Sequence, residues 1–158
     1  MSLHVVMSNG NNVSLNVRNT ASINGTLVGS RSLGSLVTVI STQWNGNFQW
    51  GNIGVNRWAN IQIGTANGNG LYPQINMQRV TALASNRRMV TTVNNLNRRV
   101  APGTVFRSLG TLANGTTVTV THTVTISRQF NSWVAGSPTG WSRLSTGGWV
   151  ASTHLRNA

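Results

Sequence analysis

A chain of 158 residues has room for one or two small domains. Its side chains include no Asp, Glu, Lys or Cys, and 12 Arg give it a formal charge of +12 at pH 7. That composition excludes side-chain salt bridges, disulfides, a carboxylate pair for glycoside cleavage and a thiolate nucleophile. Each Arg must be solvated, bonded to a carbonyl, stacked on a ring or paired with an outside anion. Only 8% of the residues are charged, against roughly 25% in ordinary domains. The imbalance reads as a partner rich in anions or a harsh medium. It also reads as a reduced alphabet, or as a sequence with Asp misread as Asn and Glu as Gln, which an intact mass would reveal. With no carboxylate side chain to protonate, the fold is expected to resist acid. No run of about 18 apolar residues occurs, so no membrane span is expected. Met1 to Gly10 lacks a basic region followed by an apolar run and does not read as a signal peptide.

In chain order, His4 to Met7 is a short apolar run and Ser8 to Asn12 is turn-like. Val13, Leu15 and Val17 alternate with polar residues, as in a half-buried strand. Leu27-Val28 and Leu36 to Ile40 continue the β pattern, punctuated by Gly25, Gly29 and Gly34. Trp44-Asn-Gly-Asn-Phe48 places Asn-Gly between aromatic residues, the signal for a type I′ hairpin turn, within an aromatic loop spanning 44–58. Trp58 to Ile63 alternates as a strand, Gly64 to Gly70 is a loop, and Leu71-Tyr72-Pro73 opens a closing segment. Gln78 to Arg88 is the expected linker, with a boundary near Ala82. Thr116 to Ser127 is the clearest strand, with Val118, Val120, His122, Val124 and Ile126 on one face. Asn131 to Thr139 is a loop, Trp141 to Leu144 a strand, Ser145 to Gly148 a turn, and Trp149 to Ala151 the last strand.

A repeat orders these elements. Leu15, Asn16, Arg18, Gly29, Gly34, Val37 and Val39 recur as Leu96, Asn97, Arg99, Gly110, Gly115, Val118 and Val120, every pair 81 positions apart. A fixed period sets the domain organisation: units at 1–81 and 82–158. Short strands with regular Gly punctuation and no helical period predict an all-β chain of two small barrels.

The second unit resembles the bacterial SH3-like (SH3b) domains of secreted and cell-wall-associated proteins. The resemblance rests on Leu96-Asn-Arg-Arg99, Pro102-Gly103, Leu109-Gly-Thr-Leu112, Gly115 to Val120, Gly140-Trp141 and Gly148 to Leu155. The first unit is similar but more divergent. It has Ser22-Ile-Asn-Gly25 where the second has Pro-Gly. It carries Trp58 in place of Trp141, and Gly70-Leu-Tyr72 in place of Gly147-Gly-Trp149. The resemblance implies a five- to seven-stranded barrel per unit and binding of peptidoglycan or its peptide bridges, outside the cell or at its wall. It implies grooves bounded by Trp58 and Tyr72 and by Trp141 and Trp149.

The residues themselves argue for binding rather than catalysis. A Ser-His pair would have no acid to orient it, and His4, His122 and His154 lack metal-ligand spacing, so no cofactor or metal is expected. His122 reads as a core residue. His154 reads as a packing residue or a ring that stacks on ligand. The indoles of Trp58, Trp141 and Trp149 either pack the barrels or border the grooves. Trp44, Trp50 and Phe48 suit contact with a sugar face or a peptide. Arg18 and Arg99 lie beside the grooves, and Arg79, Arg87, Arg88, Arg98 and Arg99 form a basic stretch suited to phosphate. The leading expectation is a non-catalytic module for a cell-envelope polymer. The alternative is a self-assembling subunit of a filament or virion, and the third is nucleic-acid binding through Arg and Trp.

Overall fold

The computed structural model describes residues 1–8, 14–64, 74–126 and 139–158. Their regular elements are strands, joined by turns and a short 3-10 helix at Ser152–His154. The first half contains β1 Ser2–Val6, β2 Leu15–Arg18, β3 Leu27–Arg31, β4 Leu36–Val39, β5 Ser41–Asn45, β6 Phe48–Gly54, β7 Arg57–Ile63, β8 Gln74–Ile75 and β9 Met77–Arg79. The second contains β10 Thr81–Thr91, β11 Leu96–Arg99, β12 Ser108–Leu112, β13 Thr117–Ile126, β14 Thr139–Leu144, β15 Trp149–Ala151 and β16 Leu155–Asn157. The protein is all-β, and every strand pairing is antiparallel.

The two halves have the same topology. In the second, one sheet runs β12-β11-β15-β14-β13-β10-β16. In the first, β3-β2-β7-β6-β5 and β4-β1-β9 form two sheets, with β8 added to β7. Ile40 separates β4 from β5, so these two strands together occupy the place of the continuous β13. The repeat reaches into the register. Leu15 faces Arg31 and Leu96 faces Leu112, and both hairpins carry an irregularity one step before Arg18 and Arg99. Gly34 and Gly115 hold φ of +78° and +81° in the turns before β4 and β13, a region open to glycine. The divergent loops also close alike: Gly25 N–H donates to Ser22 O at 3.0 Å, and Phe106 N–H to Gly103 O at 3.3 Å. The missing Pro-Gly pair therefore leaves that closing bond in place.

Several expectations change. Closed barrels are not what the described strands form: no sheet among them closes on itself. The expected linker 78–88 is strand, because β10 runs through it, pairs with β13 and absorbs the mismatch in an irregularity between Ala82 and Arg87. The expected aromatic loop 44–58 is a β5-β6-β7 meander, held by cross-strand bonds from Ser41 to Ile63. Its first turn is displaced by one residue. Asn45 pairs with Phe48, and Gly46 alone of the two central residues has positive φ, which is the type II′ pattern rather than I′. Most of the loops expected at Ser8 to Asn12, Gly64 to Gly70 and Asn131 to Thr139 lies outside the described residues, as does Tyr72.

Each half has a small core of its own. Val6, Leu15, Val37, Ala59 and Met77 pack together in the first, and Leu96, Val120, Leu144 and Val150 in the second. A third cluster crosses between the halves, joining Val5, Met7 and Val80 to Ala101, Phe106, Ile126, Trp141 and Trp149. At its centre the buried Trp149 Nε1–H donates to Gly34 O at 3.3 Å. A Cβ on Gly34 would collide with the Val100 carbonyl oxygen, so this glycine also sets how closely the halves approach. Small units bury too little surface to be robust alone, and a shared core offsets that deficit. Trp149→Ala is expected to cost about 3–5 kcal/mol, while Trp149→Phe costs about 1–3 kcal/mol from the stranded Gly34 carbonyl. In calorimetry the wild type should unfold in one transition; two separated transitions would contradict the shared core.

Candidate functional sites: two equivalent clefts

The alternation of β2 buries Leu15 and Val17 and leaves Asn16 exposed and Arg18 half-buried. Arg18 Nη1 donates to Gly25 O at 2.9 Å, and Arg99 Nη1 donates to Phe106 O at 2.9 Å. With no carboxylate side chain in the protein, each guanidinium braces the loop seven residues ahead through a backbone carbonyl. Beside each brace lies an open cleft, about 300 Å³ in the first half and about 320 Å³ in the second.

The clefts are built from matching positions. Leu15, Asn16, Arg18 and Ile23 line one, and Leu96, Asn97, Arg99 and Thr104 the other, all at the 81-residue offset. Pairing extends the match to residues that the offset does not reach. Arg18 faces Trp58 and Arg99 faces Trp149. Two residues further along, Asn60 faces Trp50 and Ala151 faces Trp141. Trp50 and Trp141 are therefore equivalent, and each lines its cleft. Asn76 and His154 match as well, because their carbonyls accept from Met7 N–H and Thr92 N–H.

The structure thus brings Arg18 and Trp50 to one cleft, and Arg99, Trp141 and His154 to the other. Both indoles pack in the shared core, Trp141 at 3% and Trp149 at 1% exposed, and Trp141 alone of the two lines the second cleft. Trp58 occupies the place of Trp149 rather than that of Trp141, and it is half-buried. Trp44 is 45% exposed on β5 and lines neither cleft. His122 is half-buried beside the irregularity in β13 rather than in the core, and its Nδ1 lies 2.8 Å from Thr121 Oγ1. Sequence reasoning passed over Asn16 and Asn97 as cleft residues, although their place in the repeat and on the exposed face marked them. Asn60 and Asn76 carried no such mark.

The clefts differ in polarity. In the first, Asn76 Nδ2 donates to Asn60 Oδ1 at 2.7 Å, and Asn60 Nδ2 donates to Gln49 O at 3.1 Å. In the second, Ala151 replaces Asn60 and that network is gone. Both share an unusual cost. The indole N–H groups of Trp50 and Trp141 are buried with no hydrogen-bond partner, and no other side-chain polar atom among the described residues is so placed. Each such donor costs about 1–3 kcal/mol. Among the described residues no three His, Asp, Glu or Cys side chains cluster, and the clefts offer donors and apolar walls rather than a metal shell.

Comparison with protein-family models, with curated proteins and with solved structures gives no match to this chain.

Two histidines away from the clefts govern the response to pH. Burial holds His4 below its ordinary value of 6.5; a backbone hydrogen bond at Ser2 opposes this, and the Arg79 cation facing it from β9 adds to it. His122 is lowered by burial and then by Arg143 opposite it on β14. The unfolded chain takes up these protons more readily, so stability is full above about pH 6.5 and falls as the pH drops below it. The fall ends once the depressed folded values are passed, because no Asp or Glu titrates further down. Thermal melts from pH 8 to pH 3 should show that step and then a plateau, with His4→Gln reducing the step.

Proposed function

We propose that the protein is a non-catalytic tandem module that binds a bacterial cell-envelope polymer, each half being an SH3-like unit that contributes one cleft. The observation that carries this reading is the pair of equivalent clefts, each with a loop-bracing Arg and a tryptophan beneath it. Two like sites held together by a common core suit a ligand that repeats. Linking them turns the second contact into an intramolecular one and multiplies weak affinities. A charge of +12 with no acidic side chain favours a polymer with anionic groups, such as peptidoglycan peptides or an anionic wall polymer. The chain lacks the carboxylates and thiol that would cleave such a polymer, and a role at the cell wall or outside the cell follows from this ligand.

One observation favours a second reading, a self-assembling structural subunit. The edge strands β3 and β12 are exposed along almost their whole length, and Leu27, Val28 and Leu109 stand out from them. Unpaired edges can add further strands. Charge repulsion between copies at +12 opposes that route, and light scattering separates the two readings. Nucleic-acid binding would show as affinity for an oligonucleotide that falls steeply with salt.

The test is retention on purified cell walls, with and without their anionic polymer. Ile23→Trp and Thr104→Trp, at exposed positions on the clefts, should each weaken retention about tenfold or more by removing one arm of the pair, and together abolish it. Unchanged retention in the double variant would sink the proposal.

A further inference from the structure

The two orphan indoles point to the ligand chemistry of the clefts. Trp50 is 2% exposed and Trp141 is 3% exposed, they occupy the same place in the two halves, and each Nε1–H lacks a partner. Their surroundings have not stayed the same: Asn60 is matched by Ala151, Asn76 by His154 and Ile23 by Thr104. A ring needed only for packing could be Phe, which fills the space without a stranded donor. The third buried indole, Trp149, is satisfied by Gly34 O, so an unpaired donor is not a general feature of tryptophan in this fold.

Each orphan donor shares its cleft with a guanidinium. Arg18 and Arg99 commit Nη1 to a loop carbonyl, and a guanidinium carries five N–H donors. Asn16 and Asn97 add side-chain amides at the exposed side of the same clefts. No carboxylate side chain exists in the chain to neutralise either cleft. We infer that Trp50 and Trp141 are the anchoring donors of two equivalent subsites for a ligand carboxylate, with Arg18 and Arg99 supplying the countercharge. Each N–H is buried, so the ligand has to displace neighbouring side chains to reach it; a carboxylate oxygen then accepts the indole N–H, and the second oxygen faces the guanidinium. A carboxylate suits this pair better than a neutral carbonyl, because a charge-assisted bond is shorter and stronger than a neutral one. A C-terminal carboxylate on a short peptide is the simplest group that fits. This inference rests on the reading of the clefts as ligand sites and specifies which chemical end of the ligand enters them.

The experiment is a titration of the full ¹⁵N-labelled chain with N-acetyl-alanyl-alanine, following the indole N–H resonances, with the C-terminal amide of the same dipeptide as control. Two indole resonances should shift, with two molecules bound per chain and the amide at least tenfold weaker. Trp50→Phe and Trp141→Phe should each remove one resonance and one bound molecule while the melting temperature holds or rises. Loss of binding without loss of stability is what a purely structural indole would not produce. Static indole resonances, unchanged stoichiometry in both Phe variants, or equal binding of acid and amide would each overturn the inference. Wall retention by the wild type separates the two levels. Retention with a silent titration overturns the carboxylate subsites alone, and no retention overturns the polymer reading whatever the dipeptide does.

Discussion

A guanidinium with no carboxylate side chain to pair with is left to water or to carbonyls, and the carbonyl bonds shape the loops of this molecule. Arg18 reaches Gly25 O, Arg99 reaches Phe106 O, and Arg98 reaches Gly147 O, in each case a backbone acceptor in a loop. Arg57 reaches Val28 O from the neighbouring hairpin at 3.3 Å. In a protein of ordinary composition such arginines would pair with acids, and the loops would be pinned some other way. Here the cation fixes the loop, and the loop contributes Ile23 or Thr104 to the cleft. The same shortage leaves the interior without carboxylates, so its response to acid comes from His4 and His122, both pushed toward the neutral form by burial.

The second organising feature is the core shared by the two halves. Each half buries a handful of aliphatic side chains between its own strands, which is little for a unit of this size. The cluster around Trp149 adds a further apolar contact and ties β1 and Val80, between β9 and β10, to the loop that carries Ala101 and Phe106. The Gly34 turn supplies both the acceptor for the Trp149 indole and the clearance for Val100. One tryptophan thus serves as a join between repeats, while its counterpart in the first half, Trp58, lies half-buried on β7. Equivalent positions in a duplicated fold have taken different work.

The clefts show the opposite balance. Arg, Leu and Asn on the second strand of each half, and Trp on the strand two places away in the sheet, keep the same arrangement in both. What surrounds them varies, from the Asn60–Asn76 network in the first half to the less polar setting of Ala151 and His154 in the second.

Much of this was legible in the residues themselves. The 81-residue offset found β2 and β11, β3 and β12, and the matching turns at Gly34 and Gly115, because short hairpins encode their register locally through alternation and left-handed glycines. Alternation and glycine spacing also established an all-β chain, and composition alone removed side-chain salt bridges and a carboxylate-pair mechanism. The offset lapses after Val39 and Val120: Trp50 follows 11 residues later in one half and Trp141 21 residues later in the other. Beyond that point the order of aromatic residues along the chain misleads, and Trp58 looks like the match for Trp141. Strand pairing alone shows that Trp58 answers to Trp149 and Trp50 to Trp141, because partners in a sheet are set by hydrogen bonds between strands distant in sequence. The burial of Trp149 between the halves, and the two indole donors left without acceptors, likewise arise from packing across that distance, which no local pattern of residues records.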